Sequence, residues 1–223
     1  MDAENPLETF ISKAKASGGA ERANYQLFVV ELCEVLGIPR PEYASEDTAL
    51  DNYVFERKVA FAHPDGSTTS GWIDCYRRDH FILEAKQSKK RTAAAADGLG
   101  LSSDSFLPKS GHALQGTRKW DRVMVQARKQ AEDYSRALPV DHGYPPFVLI
   151  VDVGNVIEVF ADFSGQGKNY AHFPDRKSFR IHIDDLREPE MQDRLRAIWT
   201  DPHSLDPARH SAKITREIAD QLA

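Results

Sequence analysis

Cysteine is scarce in this sequence: Cys33 and Cys75 are the only two among 223 residues. Two thiols build neither a disulfide framework nor a zinc finger. Both fall in segments of regular apolar pattern, where a core thiol is the ordinary state. The eight histidines show no zinc-ligand spacing. No apolar run approaches the roughly 20 residues of a membrane span, so no membrane partner is expected. The opening Met-Asp-Ala-Glu-Asn-Pro lacks the basic and apolar stretches of a signal peptide, and a reducing cytoplasm is the expected setting. Gly165-Gln166-Gly167-Lys168 is no phosphate loop, because the first glycine at the required spacing and the following Ser or Thr are missing. Tyr144-Pro145-Pro146-Phe147 begins with a side chain that cannot accept hydrogens from a target amine, which excludes amino-group methylation there. Serine and cysteine nucleophile elbows are absent too. A net charge of −5 lacks the overall basic excess of many nucleic-acid binders.

Distribution matters more than the sum of charge. Residues 77–91 hold Arg77, Arg78, Lys86, Lys89, Lys90 and Arg91 against Asp79 and Glu84. Residues 118–129 hold Arg118, Lys119, Arg122, Arg128 and Lys129 against Asp121. Lys89, Lys90, Arg91, Arg118 and Lys119 are therefore candidates for phosphate contact. A hydrophobic share of 41% supports one sizeable core, and 28% charged residues an ordinary solvated surface.

Apolar periodicity predicts helices over 6–16 and 21–36, the second ended by Gly37. A loop over 38–51 precedes strands over 53–62, 68–77 and 81–86, an antiparallel meander with a turn at Pro64-Asp65-Gly66. Residues 88–117, rich in glycine and serine, read as a flexible loop or lid. A helix over 118–138 should cross to a strand over 145–152, with a return strand over 156–162 after Gly154-Asn155. Residues 166–175 read as loop. A strand over 179–183, a helix over 184–199 and a last helix from 211 complete the pattern. Ile214, Ile218 and Leu222 form a stripe in need of a partner, so more chain is expected beyond Ala223. The fold class is α/β (α+β by stricter naming), a central mixed sheet with an antiparallel meander, flanked by helices.

The chemistry concentrates in Gly71-Trp72-Ile73-Asp74-Cys75-Tyr76-Arg77-Arg78-Asp79-His80-Phe81-Ile82-Leu83-Glu84-Ala85-Lys86. Alternation sets Ile82, Glu84 and Lys86 on one face of the third strand and Phe81, Leu83 and Ala85 on the other. With Asp74 on that same face across the ladder, two carboxylates and an ammonium converge, able to hold a hard divalent cation and a water. The bland alternative for a lone Glu-x-Lys, a polar hairpin face, loses force once Asp74, the apolar flanks and the order of elements are added. The three residues are expected together at one sheet edge.

Asp, nine residues, then Glu-x-Lys resembles the core motif of the PD-(D/E)XK nuclease superfamily. The longer run resembles the amino-terminal nuclease domain of MmeI-type restriction–modification enzymes, in which endonuclease, helical spacer and adenine methyltransferase follow in one chain. Tyr53-x-Phe55-Glu56-Arg57, Gln130-x-x-x-Tyr134 and Trp199-x-Asp201-Pro202-x-Ser204-Leu205-Asp206-Pro207 extend the resemblance over nearly the whole sequence. It implies a restriction-endonuclease-like fold over 1–185 and the start of the spacer over 186–223. It also implies Mg²⁺ or Mn²⁺ on Asp74, Glu84 and the Ala85 carbonyl, with Lys86 orienting the attacking water. Glu21, Glu56, Gln87, Gln130 and Tyr134 are accessory candidates. Double-stranded DNA is the implied partner, dimerisation the implied route to cutting both strands, and S-adenosylmethionine belongs only to a methyltransferase region outside this sequence. The alternative is a domain of an adenine-specific methyltransferase that binds DNA, or is purely structural, without cleaving.

Overall fold

The computed structural model describes residues 5–17, 21–88 and 113–222. Helix α1 (Pro6–Ala16) starts on an Asn5 side-chain cap with proline in its first turn. Helix α2 (Glu21–Leu36) follows, and Gly37, at positive φ, ends it. Strands β1 (Tyr53–Ala62), β2 (Thr68–Arg77) and β3 (Phe81–Lys86) form the expected antiparallel meander. Helix α3 (Arg118–Arg136), capped by the Thr117 hydroxyl, crosses to β4 (Phe147–Asp152), which lies parallel to β3. Strand β5 (Val156–Ala161) returns, and the short strands β6 (Ala171–His172) and β7 (Arg180–His182) both pair with it. Helices α4 (Pro189–Thr200) and α5 (Pro207–Leu222) close the chain.

The seven strands form one mixed sheet in the order β1-β2-β3-β4-β5-β6, with β7 beside β5. Strands β3 and β4 are buried on both faces, which is why Phe147–Asp152 reads as an unbroken apolar run ending in one carboxylate. One apolar cluster joins the sheet to α1, α2 and α4; a second joins its other face to α3. The amphipathic pattern of α3 explains this second contact: Trp120, Met124, Ala127, Ala131 and Tyr134 are buried along one stripe.

Several expectations shift in detail. The residues read as loop over 166–175 supply β6, a two-residue rung on β5. The helix expected from 184 begins as a 3-10 turn (Ile183–Arg187) and becomes α-helical only at Pro189, whose fixed φ suits a first helical position. The last helix starts at Pro207, four residues before 211. The 38–51 loop contains a 3-10 turn at Thr48–Leu50. Most of the lid expected over 88–117 lies outside the described residues. Helix α4 stands beyond the expected boundary at 185, yet Leu195, Ile198 and Trp199 belong to the first cluster. The Trp199 indole lies 4.4 Å from the Phe81 ring and donates to the Tyr53 hydroxyl at 2.8 Å.

Candidate active site

Strands β2 and β3 lie side by side, and their ladder runs Arg77–Phe81, Tyr76–Ile82, Cys75–Leu83 and then stops. Continuing that register brings Asp74 opposite Glu84. One position further along β3 is the Ala85 N–H. The Asp74 side chain supplies the acceptor: Oδ2 receives the Ala85 N–H at 2.7 Å. Asp74 is thus held against the peptide between Glu84 and Lys86. On β3 itself, Lys86 Nζ donates to Glu84 Oε1 at 2.7 Å, with 3% of the Glu84 side chain and 19% of that of Lys86 exposed. Asp74, Glu84 and Lys86 are therefore brought to one place. That place is where the ladder between two interior strands runs out, not a sheet edge as expected, because β4 covers the far side of β3 and β1 the far side of β2.

The hairpin is creased at Asp74. Strands β1 and β2 pair Phe55 with Cys75 and then Arg57 with Ile73; Glu56 and Asp74 fall between these rungs. Before the crease, Tyr53, Phe55 and Cys75 pack in the α1–α2 cluster. After it, Val59, Phe61 and Ile73 pack in the α3 cluster. Inward and outward alternation has inverted on both strands at one level. Glu56 takes φ +50°, unusual for any residue but glycine and costing on the order of 1 kcal/mol or more.

The oxygen donors shown at this place are the two carboxylates. Cys75, next to Asp74, contributes no soft ligand: it is buried in the α1–α2 cluster, and burial pushes its thiol well above the usual range. Among the described residues no group of three or more His, Cys, Asp and Glu side chains could hold a metal ion. The two acids alone meet the carboxylate requirement of Mg²⁺, which keeps several waters and needs few protein ligands.

The accessory candidates separate. Gln87 is buried at the end of β3 and accepts from Asn24 Nδ2 at 3.0 Å. Glu56 Oε1 accepts from the Tyr25 hydroxyl at 2.6 Å. Gln130 donates to the Tyr134 hydroxyl at 2.8 Å, as their four-residue spacing on α3 suggests. Burial pushes the Tyr134 phenol above its ordinary range; the Gln130 bond opposes this, and the charges of Glu84 and Asp74 add to it. The Tyr134 ring lies over Gly71, where a Cβ would approach it to 2.6 Å, so glycine is required for this contact. Gln130 and Tyr134 also line a groove of about 720 Å³ with Phe61, Gln126, Lys129 and Arg136. Glu21 opens α2, and its side chain lies outside the described residues, as do Lys89, Lys90 and Arg91. Arg118 and Lys119 are exposed on the first turn of α3. One residue further on, Trp120 Nε1 donates to Asp152, the ladder partner of Lys86, so this turn stands at the Lys86 end of β3.

Two contributors carry no local motif in the sequence. Tyr25 is an ordinary buried helix position. Asp152 is fully buried and accepts from Ser88 N and Oγ, Trp120 Nε1 and Asn155 Nδ2 at 2.6–2.8 Å. An aspartate closing an apolar strand was its one legible signal.

No helix among the described residues is long and apolar enough to cross a membrane. Comparisons with curated proteins and with solved structures return no match. Against known families, residues 2–223 match the one described as MmeI, N-terminal domain. A match over almost the full length agrees with the resemblance carried by Asp74, Glu84, Lys86 and the flanking motifs, and the chain belongs to this family of restriction–modification enzyme domains.

Proposed function

We propose that the chain is a Mg²⁺-dependent endonuclease domain that hydrolyses phosphodiester bonds of double-stranded DNA. The observation that carries this reading is the Asp74 carboxylate bonded to the peptide N–H between Glu84 and Lys86, which are themselves paired at 2.7 Å. Burying such a pair costs more in desolvation than a surface pair, and an apolar pair of the same size would be as stable or more so. Charges kept in so costly a place favour a chemical role.

Asp74 and Glu84, with the Ala85 carbonyl, would hold the ion. When bound, Mg²⁺ offsets charge on the phosphoryl oxygens and acidifies a water. Lys86 has two tasks. Its ammonium holds Glu84 in place, and it can donate to an attacking water or to a non-bridging phosphate oxygen. Tyr134, supported by Gln130 and near enough for the charges of Glu84 and Asp74 to act on its phenol, would flank the carboxylate pair. Arg118 and Lys119 would meet the DNA backbone, helped by the positive end of α3.

The test has two arms. Calorimetric titration of Mn²⁺ into the protein should give heat that Asp74→Ala abolishes; equal heats in both would remove the metal site. Nicking of supercoiled DNA by the protein joined to its methyltransferase region should fall about 10²–10³-fold in Lys86→Ala. Undiminished nicking would leave the non-cleaving alternative.

A further inference from the structure

Outside the carboxylate pair, the feature with the largest physical consequence is the left-handed residue in the middle of β1. Glu56 has a β-carbon and sits at φ +50° within a ten-residue strand. Glycine would take this conformation freely; glutamate requires something to hold it there. The inversion is shared by β2 at Asp74, between Cys75 in one cluster and Ile73 in the other. Without it, the Asp74 side chain would stand out from the sheet instead of reaching the Ala85 N–H.

Helix α2 grips the crease from one side. The Tyr25 hydroxyl donates to Glu56 Oε1 at 2.6 Å and accepts from Gln26 Nε2 at 3.2 Å, so its proton is directed at the carboxylate. The Tyr25 ring is buried edge-on to Phe55, the last residue before the inversion. Its neighbour Asn24 donates to Gln87, the residue after Lys86. Adjacent residues of α2 thus fasten β1 and β3, and β2, with Asp74, runs between those two strands.

We infer that Tyr25 is a positioning residue: its bond to Glu56 holds the left-handed crease, and the crease delivers the Asp74 carboxylate to the Ala85 peptide and thus to Glu84 and Lys86. Its functional meaning rests on the reading of Asp74 as a metal ligand. On this account Tyr25 acts through Glu56, and a residue that adopts positive φ unaided at position 56 makes Tyr25 dispensable.

Amide hydrogen exchange at Ala85, followed by NMR on the intact chain, reports the Asp74 bond directly and needs neither metal nor DNA. In Tyr25→Phe the Ala85 amide should exchange about tenfold faster, as loss of one charge-assisted hydrogen bond implies. Amides at the centre of β4, such as Leu149, should be unchanged. Glu56→Gly should keep wild-type protection at Ala85, and adding Tyr25→Phe to it should change nothing further, a full departure from additivity. Mn²⁺ affinity should fall in Tyr25→Phe, which removes no carboxylate. The inference is overturned if Tyr25→Phe leaves Ala85 protected, or if the double variant exchanges as fast as Tyr25→Phe alone. Should Tyr25→Phe fail to fold, Glu56→Gln keeps the side chain's size, weakens the same bond and is read by the same amide. Absent metal binding in the wild type would sink the nuclease reading while the exchange result still decides the role of Tyr25.

Discussion

Two aspartates flank β3, one on each neighbouring strand, and both accept a backbone N–H close to Lys86. Asp152 on β4 takes the Ser88 N–H; Asp74 on β2 takes that of Ala85. There the likeness ends. Asp152 is fully buried and collects four donors from Ser88, Trp120 and Asn155, fixing the exit of β3, the start of α3 and the β4–β5 turn together. Asp74 is only partly buried and lies at the crease, where the ladder to β3 runs out. One carboxylate is consumed by the fold. The other is delivered by the fold to a basic and acidic neighbour. Surroundings, not residue type, divide structure from chemistry here.

Mutations should split along that line. The largest effect is expected at Asp74 and Lys86, where replacement by alanine lowers DNA nicking by about 10²–10³-fold. Unfolding free energy in urea should change by about 1 kcal/mol in Asp74→Ala, and by about 3 kcal/mol in Lys86→Ala, which takes the ammonium away from the buried Glu84 carboxylate. Next is Asp152→Ala, which strands several buried donors and should cost on the order of 3 kcal/mol by urea titration. If Asp152→Ala left stability intact and Asp74→Ala unfolded the chain, the contrast would be reversed. Tyr53→Phe removes the acceptor of the Trp199 indole and should cost about 1–2 kcal/mol with metal heats unchanged, since it lies in the α1–α2 cluster and not at the crease.

The smallest effect concerns pH. His142 is buried against Tyr76, whose hydroxyl lies 2.8 Å from Nδ1. Burial, then the positive charges of Arg57 and Arg78, hold the imidazole below its usual range. A depressed folded value means that the unfolded chain takes the proton first. Its stabilising contribution is therefore present above about pH 6.5 and is lost as pH falls below it, with a slope of at most about 1.4 kcal/mol per pH unit. His80 and His172 shift the same way, both chiefly through burial. Urea midpoints at pH 8, 6.5 and 5.5 should fall in that order, and His142→Gln should flatten part of the decline.

Much of this arrangement was legible in the sequence, for identifiable reasons. The first two helices and the three meander strands follow from apolar periodicity and from Gly37 and Pro64-Asp65-Gly66 as punctuation. The α3 crossover follows from its single apolar stripe. Asp74, Glu84 and Lys86 are close in sequence, so a two-strand ladder suffices to predict their meeting. What stayed hidden depends on long-range partners. Tyr25 and Glu56 are 31 positions apart, and Glu56 carries no sign of a positive φ. The interior position of β3 depends on β4, which arrives after residue 146. Proline at 189 was visible, but the preceding 3-10 turn is set by the Asp185 carboxylate accepting the His182 N–H.

The indole of Trp199 has an architectural consequence. It is fully buried between Phe81 on the central strand and Tyr53 at the start of the first, so a helix made late in synthesis seals a core whose strands were made long before. Any cut placed ahead of residue 199 would leave an aromatic-sized hole beneath the strand that carries Glu84 and Lys86. Helix α4 is thus part of the core itself, and motion transmitted along it would arrive beneath the strand that carries Glu84 and Lys86.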